Sequence, residues 1–154
     1  MHLPAGCGPT ALRKGEYMRF ALLLGRILFS LIFILSSFGH FSAETIGYAA
    51  NKGLPAANIL VPLSGIVLLL GGLSVLTGYR AKVGAGLLAL FLIPTTFMFH
   101  NFWAITDDPM AAQIQRIMFL KNISMLGGAL ILLYFGAGPL SVDRKLQHRP
   151  VERT

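Results

Sequence analysis

Two cations stand within apolar sequence, Arg26 inside the run 17–38 and Lys121 inside the run 114–135. Holding a cation in hydrocarbon costs roughly 2.5 to 3.5 kcal/mol on insertion scales, so such side chains usually turn inward and take part in something. The other groups able to do chemistry lie at the ends of apolar runs. They are His40 and Glu44 after the first, His100-Asn101-Phe102-Trp103 after the third, and Asn122 beside Lys121. Together Lys121, Asn122, His100 and Trp103 offer what a quinone asks for, namely donors to two carbonyl oxygens and an aromatic wall. An acidic neighbour such as Glu44 or Asp107 would hold Lys121 charged and orient it.

Other chemistries fit less well. His40 and His100 are the right ligand type for a b-type haem, and with Glu44 and Asp107 they make an acceptable donor set for a metal ion. Neither set has a diagnostic spacing, and a histidine at a helix end is more often an interface residue, so no metal and no intrinsic cofactor are expected. The single cysteine, Cys7, allows no internal disulfide and no Cys-x-x-Cys pair. Hydrolytic motifs of the Gly-x-Ser-x-Gly or metalloprotease kind are absent. Catalytic residues therefore stay unassigned, the sequence does not establish an enzyme, and any redox role must use a borrowed carrier or a partner.

The elements that hold these residues are read from composition. Of 154 residues 55% are hydrophobic and 12% charged, and the mean hydropathy is +0.68. That leaves too little polar surface for a soluble domain of this size. Four apolar runs, 17–38, 56–76, 83–99 and 114–135, are each long enough to cross roughly 30 Å of hydrocarbon as a helix. The expected fold is all-α, an integral membrane four-helix bundle at 17–136, with an N-terminal tail at 1–16 and a basic C-terminal tail at 137–154. A formal net charge of +7 raises nucleic acid as a partner, but the charge is distributed by loop. Arg13 and Lys14 precede the first run and Arg19 lies at its very start, Arg80 and Lys82 separate the second from the third, and Arg144, Lys145, Arg149 and Arg153 follow the fourth. By the positive-inside rule both termini are cytoplasmic, and the partner is the lipid bilayer, not nucleic acid. The first apolar run exceeds the length of a signal-peptide core, which favours an uncleaved anchor.

Helical periodicity tells which faces turn inward. Arg26, Ser30, Ser37, His40 and Glu44 fall within about 40° of one line if the first helix extends that far. Lys121, Ser124 and Gly128 share a face of the fourth helix, and Thr96 and His100 share one on the third, where Pro94 frees a carbonyl. At 1.5 Å per residue Lys121 lies about 10 Å below the start of its run, so polar groups of three helices converge on the outer half of the bundle. Arg26 lies toward the opposite side. Its long side chain either snorkels to that interface or turns inward to bond carbonyls and serines.

Several of these residues also recur as a set. Gly25-Arg26, Gly71-Gly72, His100-Asn101-Phe102-Trp103, and Phe119-Leu120-Lys121-Asn122 with Gly127-Gly128 follow one another in order between about Tyr17 and Asp143. As a set they resemble the DoxX family. The resemblance implies a small bacterial inner-membrane protein of four helices, in a family linked to membrane redox chemistry, quinones and oxidative stress. Relatives include the membrane subunit of a thiosulfate:quinone oxidoreductase. One departure stands out, because many relatives place an acid just before the glycine pair of the second helix, where this chain reads Val67-Leu68-Leu69-Leu70. A proton-transfer role resting on that acid is not open to this chain. The expectation is an inner-membrane component of a redox system that binds a quinone or similar lipid-soluble carrier. It would anchor a soluble oxidoreductase partner or act as a homo-oligomer. The alternatives are a solute or ion passage lined by the polar stripe of the first helix, and a non-catalytic structural membrane partner.

Overall fold

Within hydrocarbon every backbone N–H and C=O must find its partner inside its own segment, and this turns the apolar runs into helices. The computed structural model describes residues 9–147, with side chains from residue 17 onward. Cys7, Arg149 and Arg153, and the side chains of Arg13 and Lys14, lie outside the described residues. Six α-helices follow in order: α1 Pro9–Gly39, α2 Ala43–Asn51, α3 Ala57–Thr77, α4 Ala81–Phe99, α5 Pro109–Phe135 and α6 Val142–Gln147, with a 3-10 turn at Phe102–Ala104 between α4 and α5. No strand occurs among the described residues. Among the described residues four segments are long and apolar enough to cross a membrane: Tyr17–Gly39, Ala57–Thr77, Ala81–Ala104 and Pro109–Phe135. The protein is thus an all-α membrane bundle. Its outward side chains, such as Leu35, Leu70, Leu90 and Ile131, are apolar and exposed, as a bilayer requires.

The helices pack in the sequence α1 on α3, α3 on α4, and α4 on α5. Phe33, Leu68, Val75, Ala85, Leu88 and Leu92 form the core between them. Across the remaining side, α1 meets α5 where the Phe29 ring lies against Gly128; a methyl group there would come within 2.8 Å of the ring.

Element boundaries depart from the apolar runs at both ends of the domain. α1 begins at Pro9, inside the segment expected to be a tail, and α6 gives helical structure to part of the expected C-terminal tail. α5 begins at Pro109 because Asp108 caps it, accepting from the N–H groups of Met110 and Ala111 at 3.0 Å each, with proline at a position where no N–H is needed. The first helix does not reach Glu44. It stops at Gly39, three successive turn bonds carry the chain through residues 40–42, and Ser42 then caps the separate helix α2.

The polar stripe of α1 is nonetheless real as far as the helix runs, since Arg26, Ser30 and Ser37 are all buried. Arg26, only 3% exposed, does not snorkel. Its guanidinium donates to the carbonyls of Ala137 at 2.8 Å, Leu140 at 3.0 Å and Leu76 at 3.5 Å, tying α1 to the C-terminal end of α3 and to the segment after α5. Close by, the Asp143 carboxylate accepts from the N–H groups of Arg80 (2.8 Å) and Ala81 (3.2 Å), capping α4, and the Asp143 N–H donates to the Gly78 carbonyl. Gly78 is required here twice over, by a φ of +71° and because a Cβ would come within 2.5 Å of Ser141. Arg26 is therefore a structural staple at one end of the bundle.

Candidate functional site

At the other end, the last turn of α1, the C-terminal half of α4 and the middle of α5 enclose a chamber of about 150 Å³. Leu68 and Phe91 form apolar wall, while Ser36, His40, Thr95, His100, Lys121 and Asn122 supply polar groups.

Each imidazole is fixed by a partner. The Ser64 hydroxyl gives its proton to the Val61 carbonyl at 2.6 Å, so its oxygen accepts from His40 Nδ1–H at 2.7 Å. That leaves His40 Nε2 an acceptor without a protein partner. The close approach depends on Gly65, since a Cβ there would lie 2.9 Å from His40 Cβ and 3.1 Å from the Ser37 carbonyl. His40 sits just past the first membrane span, and burial holds its pKa below the ordinary value, opposed in smaller measure by the Val61 carbonyl. His100 Nδ1 pairs with Gln115 Oε1 at 2.8 Å; as that oxygen can only accept, His100 also presents Nε2 as an acceptor.

Asn122 is the most telling member. It is 4% exposed, lines the chamber, and makes no side-chain hydrogen bond to the protein. Among the described residues the side-chain polar atom sealed from solvent without a partner is Arg26 Nε, not the Asn122 amide; the amide opens onto the chamber, where water or a ligand can meet it. Lys121, one residue earlier, is exposed and borders the same chamber; the face it was expected to turn inward with Ser124, which is exposed too, is not the buried face of α5.

A second chamber of about 340 Å³ adjoins the first, and His40, Phe91, Thr95 and His100 line both. Its remaining walls come from α2 (Thr45, Tyr48, Ala49), from Leu54, Leu60, Val61 and Ser64, and from Pro94, Met98 and Phe99 of α4. They are predominantly apolar.

Of the residues singled out from sequence, the structure brings together His40, His100, Lys121 and Asn122. It does not bring the others to them. Arg26 serves the opposite end of the bundle. Glu44 is exposed in the first turn of α2, since the helix that would have carried it inward ends at Gly39. Asn101 precedes the 3-10 turn and lines neither chamber. Trp103 is 55% exposed, and that turn lays its ring edge-on against Phe102 and Phe119, 5.1 and 5.7 Å away between centroids. It is an outer aromatic anchor, not a chamber wall. Ser64 and Gln115, which set the two imidazoles, carry no motif of their own. Helix spacing alone points to neither, because their partners lie on other elements.

The DoxX family model matches residues 21–101, just over half of the chain. An inner membrane protein of Escherichia coli K12, YqjF, is 32% identical over 130 residues, covering 83% of this chain and 93% of its own length. The chain belongs to the DoxX family. A second E. coli inner membrane protein, YphA, is 28% identical over 126 residues, covering 80% of this DoxX chain and 89% of its own. The Surfeit locus protein 4 homolog of Schizosaccharomyces pombe is 28% identical over 138 residues but is matched over only 41% of its length. No solved structure matches. With four apolar spans and these relatives, this DoxX protein is a multi-pass protein of the bacterial inner membrane.

Proposed function

We propose that this protein is an inner-membrane component of a redox system, binding a quinone or a lipid-soluble carrier of like chemistry with its ring in the smaller chamber and its tail in the larger. The observation that carries this reading is Asn122, a buried amide without a protein partner on the wall of a cavity. Lys121 and Asn122 supply donors suited to quinone carbonyls, and the two Nε2 atoms supply acceptors suited to the hydroxyls of the reduced form. The adjoining apolar chamber suits a tail, and its border with α2 lies at the edge of the bundle. Electrons would pass to or from a soluble oxidoreductase for which the chain serves as membrane anchor.

Arg19, Arg80, Lys82, Arg144 and Lys145 flank the Arg26 end of the bundle. The positive-inside rule then places that end and both termini in the cytoplasm, with the chambers in the outer half. Between the chambers and Arg26 the axis is filled by Leu68, Leu88, Leu92 and Val75. That packing favours a pocket over a passage through a single chain.

The test is binding in neutral detergent. A short-tailed ubiquinone or menaquinone analogue should raise the melting temperature saturably, and Lys121→Leu should weaken that response at least about tenfold, or roughly 1.4 kcal/mol. A response linear in analogue and indifferent to the substitution would mean partitioning into the micelle and would sink the reading.

A further inference from the structure

We infer that the Arg26 end of the bundle carries a receptor for a phosphate group, the chemistry shared by an anionic phospholipid headgroup and a free phosphate. A cavity of about 310 Å³ opens there, separate from the chambers described above, lined by Phe135 at the end of α5 and residues 136–138 after it, by Lys82 of α4, and by Ser141, Arg144 and Gln147 at and beside α6. Its floor is the segment whose carbonyls hold Arg26.

The polarity of that floor follows from the buried arginine. No peptide bond among the described residues is cis, and in a trans peptide the C=O and the following N–H point in opposite directions. The Ala137 and Leu140 carbonyls point at the Arg26 guanidinium, so the N–H groups of Gly138 and Ser141 point away from it. Neither has an acceptor among the described residues, and both residues line the cavity. The turns that set these two peptides in place use positive φ at Gly138 (68°) and Leu140 (59°), on either side of Pro139, which has no N–H of its own. One inward cation thus orients two peptide dipoles toward an outward anion.

Side chains add to this. The Lys82 stem lies over Gly136, its Cε 3.3 Å from where a Cβ would stand, and Lys82 lines the cavity. Arg144 brings a second positive charge. Asp143 is the one carboxylate on the wall, and its two oxygens are taken by the N–H groups of Arg80 and Ala81. Tyr134 and Phe135, the last residues of α5, are exposed aromatics, as at a membrane boundary where headgroups sit. Lys82 and the Gly138 and Ser141 N–H groups would hold a phosphate as a charge-assisted hydrogen-bonded anion, with Arg144 adding its charge to the rim.

The experiment uses the full chain in neutral detergent. Short-chain phosphatidylglycerol, short-chain phosphatidylcholine and inorganic phosphate are each titrated while the melting temperature is followed, and lipid retained by the wild-type protein is counted by native mass spectrometry. Stabilisation and retention with phosphatidylglycerol but not phosphatidylcholine would support the receptor with a lipid as its source. A matching response to inorganic phosphate would support it with a free anion as the source. The Lys82→Gln/Arg144→Gln variant should lose affinity at least tenfold, whereas Arg19→Gln, at the same end but off the cavity, should not. No preference for phosphatidylglycerol or phosphate in the wild-type protein would overturn the inference, and so would equal losses in the cavity variant and in Arg19→Gln.

Discussion

Replacing Asn122 with leucine separates the two roles that a buried amide can have. If Asn122 is present for folding, its loss should destabilise the bundle; if it waits for a ligand, its loss should stabilise the empty protein. Leaving a buried polar group unpaired costs about 1 to 3 kcal/mol. The chamber beside Asn122 holds about 150 Å³, several times the roughly 30 Å³ share of one water molecule, so solvent relieves part of that cost and the lower figure applies. Leucine has a similar volume and packs against Leu68 and Met125 without a polar demand. Asn122→Leu should therefore raise the stability of the empty protein by about 1 kcal/mol. It should also weaken binding of a quinone analogue at least about tenfold, near 1.4 kcal/mol. Unfolding by a denaturing detergent in mixed micelles, followed by circular dichroism, gives the first number, and thermal-shift titration gives the second. A variant that loses stability and still binds normally would refute the reasoning.

Arg26→Met should cost about 3 kcal/mol or more, because it leaves the buried Ala137 carbonyl and its neighbours without a donor; it should reduce yield and melting temperature, and unchanged stability would contradict the staple. Burial depresses the pKa of His40, so below about 6.5 the unfolded chain binds a proton that the folded chain does not, and stability is full above that pH and falls as the pH drops below it. His40→Gln should flatten the acid side of the melting curve, and an unaltered slope would show that another group is responsible. With Cys7 replaced, single cysteines at positions 51 and 107 should react with an impermeant thiol reagent in intact cells while position 79 stays protected, and the reverse pattern would invert the proposed orientation.

The four spans were legible because apolar length alone forces a helix in hydrocarbon, and depth along the runs pointed to His100 and Lys121 at the same end of the bundle; the helix period did not, since it turned Lys121 and Ser124 inward, whereas both are exposed and Asn122 is the buried neighbour. Their partners were not legible. Arg26 reaches carbonyls 50 to 114 residues away, and a backbone acceptor leaves no mark on residue type. α2 escaped notice because Ala43–Asn51 is too short to span and joins α1 through a turn, which moved Glu44 away from the stripe it seemed to continue. Trp103 follows His100 by three residues, and a continued α-helix would keep the two on neighbouring faces. The 3-10 turn breaks that relation and sends the ring to Phe119 instead.

The central claim is that a lipid-soluble carrier occupies the paired chambers, and photolabelling in native membranes tests it most directly. A photoreactive quinone analogue, mapped by peptide mass spectrometry, should attach to the segments 91–100 and 121–125, and an excess of unlabelled analogue should suppress the adducts. Adducts spread over lipid-facing positions such as Leu28, Leu63 or Tyr134, undiminished by competitor, would contradict it.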